Sequence, residues 1–295
     1  MLEEQFPDIL PLIAVGFVGS GSEKFGFDDE ISRDHDFEAG FSIFLPGEDK
    51  VDRRTEFKLE RAYSKLPREF EGVVRPILSP VGGNRCGPVR RADFLRDKLG
   101  SPDGELDAMQ WLTIPDHALS EASNGEIFFD GDGVFGAIRE KIKNMPEDVR
   151  RKRIAGNLLM MAQSGQYNFE RCIRRGEYEA AQLAADMFCQ SAIKVLFLLK
   201  HAYAPYYKWS FRALREIESA DIVRKLSDAL MLPCTAELSH DKYLAIEDAS
   251  EMVISRLRAA SLTDAVCGDL EKHAYSVNDG ISDGTIRNLN VMISI

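Results

Sequence analysis

The spacing of apolar residues changes character near Pro146, and that change constrains the fold more than any single motif. Upstream, apolar residues come in short runs broken by Gly, Pro and acidic residues. Downstream they recur at helical spacing. The upstream half predicts strands over 13–18, 36–45, 73–78 and 125–130. Pro76 places the third of these at an edge or breaks it. Helices are predicted over 53–66, closed by Pro67, and over 92–99, closed by Gly100; 80–88 is predicted as a loop. Downstream, helices are predicted over 148–164, 178–201, 210–218 and 242–260. The second of these is apolar on most faces, with Ala181, Ala184, Met187, Phe188, Ala192, Val195 and Leu199 as inward candidates, as suits the middle of a bundle. At 295 residues, two domains are expected rather than one. The expectation is an α+β chain: a small mixed-sheet domain over 1–144, then an all-helical bundle over 145–295.

Charge divides the same way. Residues 1–144 hold 18 basic and 28 acidic groups, residues 145–295 hold 19 and 20, and the whole chain carries −11. An acidic first half opposes gripping a nucleic-acid backbone, which takes a basic surface, and suits collecting carboxylates for a metal. Nucleic acid is therefore not an expected partner. No uninterrupted apolar run reaches a membrane span, and Met1-Leu2-Glu3-Glu4 lacks the basic start of a signal peptide. The five cysteines show no CxxC spacing and read as free thiols. A cytoplasmic location is expected.

The chemistry concentrates in residues 18–37. A strand runs into Gly19-Ser20-Gly21-Ser22, and a polar connection leads to Asp34-His35-Asp36 at the start of the next predicted strand. Residues two apart on a strand face one side, so Asp34 and Asp36 point together and His35 points away. Two adjacent carboxylates repel unless a cation lies between them. Mg²⁺ takes one or two carboxylates and completes its shell with water and substrate phosphate. The Gly-Ser turn offers backbone N–H groups and hydroxyls to a phosphate.

A strand ending in Gly-Ser, followed at this spacing by Asp-x-Asp, resembles the signature of the polymerase-β-type nucleotidyltransferase superfamily. The strings Gly26 to Asp36, Met161 to Asn168 and Tyr203 to Trp209 are similar to a bacterial branch of it, a domain of unknown function with a C-terminal helical domain. The resemblance implies Mg²⁺- or Mn²⁺-dependent transfer of a nucleoside monophosphate, here AMP, from ATP or another NTP to a hydroxyl, with release of pyrophosphate. The acceptor would be a small molecule or a protein, the site would lie in a cleft between the domains, and a homodimer is allowed. Asp34 and Asp36 would be the metal ligands. Gly19, Ser20, Gly21 and Ser22 would hold the triphosphate, with Lys208 reaching it from the helical domain. The superfamily's third carboxylate has no obvious counterpart. Glu126 is the candidate taken forward, with Asp130 beside it and Glu71 and Asp93 behind.

Blander readings compete with these. Asp34 and Asp36 could be an exposed acidic turn, His35 a packed histidine, and Asp28-Asp29-Glu30 a solvated cap. Arg33 could meet a phosphate or hold Asp34. The amide-rich patch of Gln163, Gln166, Tyr167 and Asn168 could recognise a base or acceptor, or cap a helix stopping at Gly165. Lys208 and its tyrosines could be aromatic packing. Arg150 to Arg153 reads as a solvated helix face. Other classes are a nucleotide-binding regulatory or antitoxin-like module without turnover, an enzyme acting on nucleic-acid ends, and a metal-dependent phosphohydrolase.

Overall fold

The computed structural model describes residues 1–31, 40–67, 69–70, 72–74 and 86–295. The chain forms two compact units: Met1–Leu106 with Ala118–Asn144, and Asp107–His117 with Met145–Ile295. Both helix and sheet are present, and the described sheets lie in the first unit.

The first unit is built on strands β1 (Ala14–Phe17), β2 (Ser42–Leu45), β5 (Gly87–Arg90) and β6 (Glu126–Asp130), in the order β5-β2-β1-β6. β1 is antiparallel to β2 and β6, and β5 is parallel to β2. All four residues of β2 are buried, so the strand is covered on both faces, and its alternation sorts its side chains. Ile43 and Leu45 join Ile13, Val15 and Leu59 in one cluster. Phe44, on the opposite face, stacks on Phe135 with ring centroids 4.1 Å apart and meets Phe94 edge-on. β3 (Glu69–Phe70) and β4 (Val73–Val74) form a separate two-stranded sheet.

Several predicted bounds move. Gly87 and Pro88, assigned to a loop, open β5. That strand lies at the sheet edge, where a residue without an N–H is tolerated. Residues 36–39 and 75–78 of the predicted strands lie outside the described residues. Helices over Ala108–Thr113, Asp116–Ser123, Val134–Lys143, Ala220–Met231 and Leu270–Asp279 were not anticipated.

The second unit is helical, with Tyr178–Leu199 carrying twelve buried residues. Ala181, Ala184, Phe188, Ala192 and Val195 are buried as expected, whereas Met187 is exposed and Leu199 half-buried. This helix is long and apolar enough to cross a membrane, and 61% of its most apolar window is buried inside the fold. The five cysteines are free.

Two expectations fail here for physical reasons. Gly165 does not stop a helix. Glu147–Met161 continues as a π-helix over Ala162–Phe169 and then as α-helix over Glu170–Arg174. A Cβ on Gly165 would come within 2.4 Å of Phe188 Cδ2, so the glycine serves close packing. Nor is Arg150 to Arg153 a solvated face. Four consecutive residues encircle a helix, so in a central helix they cannot all reach water. Arg150, Lys152 and Arg153 are buried. Lys152 donates to Asn278 Oδ1 at 2.8 Å, Arg287 O at 3.0 Å and Leu289 O at 2.6 Å. Arg153 donates to Trp111 O at 2.7 Å and Ile114 O at 3.0 Å, and lies 3.1 Å from Asp116. Arg150 meets Glu147 and donates to Leu198 O.

Candidate active site

At the end of β1 the chain turns through Gly19 (φ 110°) and Gly21 (φ 122°), and a short 3₁₀ helix, Ser22–Phe25, follows. Both φ values fall where L side chains are rare, so glycine makes this turn possible. Asn124 clamps it. Gly19 N–H donates to Asn124 Oδ1 at 2.9 Å, and Asn124 Nδ2 donates to Gly19 O at 2.8 Å. The Ser20 hydroxyl donates to Glu121 Oε2 at 2.7 Å and accepts from Lys98 Nζ at 2.8 Å. Lys98 also pairs with Glu121 at 2.9 Å. Burial pulls the Lys98 ammonium down, but Glu121 and Asp97 more than offset this and hold it above its usual range.

Of the four residues expected to hold a triphosphate, Gly19 has committed its N–H to Asn124 and Ser20 its hydroxyl to Glu121. The backbone N–H groups of Ser20, Gly21 and Ser22 meet no acceptor among the described residues. N–H groups left without an acceptor in such a turn are able to meet an anion. In the 3₁₀ helix that follows, buried Lys24 lies 3.7 Å from the Phe17 ring centroid, 3.6 Å from Glu23 and 3.3 Å from Cys86 Sγ. Lys24 and Lys98 thus lie against Glu23, Glu121 and Asp97. Any net attraction for phosphate has to come from the N–H groups and from charge brought by other residues or a metal.

Glu126 opens β6, is exposed, and stands opposite Phe17 in the register. It therefore shares the sheet end from which the Gly-Ser turn leaves. Asp130 pairs with Ala14 at the far end of the strand, and its Oδ2 accepts from Gly136 N–H at 2.7 Å. Asp93 is exposed and paired with Arg96. β2 begins at Ser42, opposite Gly16, so its start lies at the Gly-Ser end of the sheet too. Arg33, Asp34, His35, Asp36 and Glu71 lie outside the described residues. Among the described residues, no cluster of three or more His, Cys, Asp or Glu is placed to hold a metal ion.

In the second unit, Lys208 is exposed, with its ammonium 5.3 Å from the Trp209 ring centroid. Gln166 donates to Glu247 Oε2 at 3.2 Å and Gly268 O at 2.9 Å, and accepts from Leu270 N–H. Much of this amide is spent joining the π-helical segment to the start of Leu270–Asp279. Lys98, Glu121 and Asn124 were absent from the sequence-based site. Asn124-Gly125 is a recognisable turn signal, but nothing local links it to Gly19, 105 residues away.

A family model described as a domain of unknown function (DUF4037) matches residues 111–210, about a third of the chain. The match contains Met161 to Asn168 and Tyr203 to Trp209, and it excludes Gly19 to Asp36. No curated protein and no solved structure matches the chain.

Proposed function

We propose that the chain is a Mg²⁺-dependent nucleotidyltransferase that moves AMP from ATP to a hydroxyl of a small molecule or protein and releases pyrophosphate. The observation that carries the reading is the Asn124-clamped Gly-Ser turn, with three backbone N–H groups free of acceptors among the described residues. In sequence it is followed by Asp34-x-Asp36, and Glu126 stands at the same sheet end. In this reading Ser20, Gly21 and Ser22 hold the phosphate oxygens through their N–H groups, while Asn124 and Lys98 fix the turn's shape. Asp34 and Asp36 would hold the metal, which when bound offsets charge on the leaving pyrophosphate. Glu126 would take the proton of the acceptor hydroxyl. The charge balance at the turn implies that nucleotide binding needs the divalent ion.

The same charge balance favours one second reading, a nucleotide-binding module without turnover. Titration calorimetry of ATP, with and without Mg²⁺, on the wild type and on Asp34→Ala/Asp36→Ala tests both. Mg²⁺-dependent binding that the double variant loses supports the site, and pyrophosphate release in an acceptor screen separates enzyme from module. A folded wild type that binds no NTP sinks both readings.

A further inference from the structure

The second unit holds a cavity of about 420 Å³ whose lining includes no residue of the Gly-Ser turn. Arg153 and Asp116 lie in its lining as a buried ion pair, and Arg153 is further held by the carbonyls of Trp111 and Ile114. The pair carries no net charge. His117, Tyr206 and Tyr207 supply aromatic surface: His117 meets Tyr206 edge-on at 5.8 Å, and Tyr206 and Tyr207 lie 4.6 Å apart and tilted. Tyr207 is 73% exposed, leaving most of its ring uncovered. Gln190 and Lys194, four residues apart and so on one face of Tyr178–Leu199, also line the cavity. Lys194 has no ion-pair partner among the described residues. Lys208, the cation singled out in the sequence, is not part of this lining.

We propose that this cavity binds a planar aromatic ring carrying an oxyanion, the ring against Tyr206 and Tyr207 and the oxyanion on Lys194. An organic cation seated on the tyrosines would face the Lys194 ammonium with no carboxylate left over from the Arg153–Asp116 pair, so the aromatic surface is not a cation cage. A bare anion would have a single half-buried lysine, because Arg153 is spent on Asp116, and one such contact in water holds little. The aromatic area supplies the remaining attraction, and Gln190 can donate to or accept from ring substituents. The inference does not rest on the transfer reaction, since none of its observations involves the Gly-Ser turn.

The test is calorimetric titration of the full chain with naphthoate, naphthamide and cyclohexanecarboxylate. Naphthoate is expected to bind about tenfold or more tightly than either of the others, which lack the charge or the ring. Lys194→Gln should bring naphthoate down to the naphthamide level and leave naphthamide unchanged. Tyr207→Ala, at an exposed ring that the fold does not need, should weaken both naphthyl probes. No naphthoate binding by the wild type overturns the proposal. So does equal binding of naphthoate and naphthamide, or an unchanged naphthoate affinity in Tyr207→Ala.

Discussion

The two units treat their most buried lysines in opposite ways. In the first, Lys98 is matched to Glu121 and Lys24 to Glu23, and the buried arginines divide, Arg91 meeting Asp132 and Arg139 the carbonyls of Ser123 and Asn124. In the second, Lys152 and Lys242 are fully buried and have backbone carbonyls and side-chain amides as hydrogen-bond acceptors. Those carbonyls are not scattered. Lys242 meets Leu230 and Leu232, at the end of Ala220–Met231; Arg150 meets Leu198, at the end of Tyr178–Leu199; Arg153 meets Trp111 and Ile114, at the end of Ala108–Thr113. The last carbonyls of a helix have no intrahelical donors and carry the negative end of its dipole. Buried helix ends therefore call for cations, and Arg139 meets the same need in the first unit, at the end of Asp116–Ser123.

If that contrast governs stability, Lys152→Met should be more damaging than any other single substitution proposed below. It leaves three acceptors without their donor, and a loss of about 3 kcal/mol is expected in urea unfolding. Gly165→Ala comes next, at about 2 kcal/mol, because its methyl would overlap Phe188. Thermal denaturation measures it, and a neutral result would mean the π-helical segment relaxes freely. Lys98→Met should cost only about 1 kcal/mol, since its partly exposed carboxylate partners can turn to water. A loss equal to that of Lys152→Met would erase the distinction between the units.

The smallest effect concerns pH and sharpens the comparison from the acid side. Burial holds the Glu247 carboxyl above its usual range, against the Gln166 hydrogen bond and with help from Glu170. A carboxyl whose folded value is raised contributes stability that is full below its ordinary range, about pH 4, and lost as pH rises through the raised value. Glu247→Gln should therefore raise the melting temperature at neutral pH, and the gain should vanish below about pH 4. A gain that persists in acid would mean charge is not its source.

Periodicity made the strands around β1, β2 and β6 legible, along with the long helices after Pro146, because burial on one face or all faces leaves a repeat in the sequence. Helix Ala108–Thr113 carries its own local signal, the capping box that Asp107 and Gln110 form at its start. The fate of Arg150 to Arg153 was not legible. Whether a charged run is wet depends on what packs around the helix, and Asn278, Arg287 and Leu289 lie more than a hundred residues away. The candidate site divides similarly. Gly19 to Ser22 announce a turn by composition, whereas Lys98, Glu121 and Asn124 reach it only through tertiary folding.

The excursion of Asp107–His117 into the second unit sets the terms on which the chain can be cut. A recombinant piece starting at Met145 would bury the Arg153 guanidinium without Trp111 O, Ile114 O or Asp116. The shortest helical piece that satisfies its own interior starts at Asp107 and carries a stretch of the first unit with it. Synthesis meets the same constraint. Asp107–His117 leaves the ribosome before the helix that anchors it, so this stretch of the second unit stays without its partner until Glu147–Met161 has emerged.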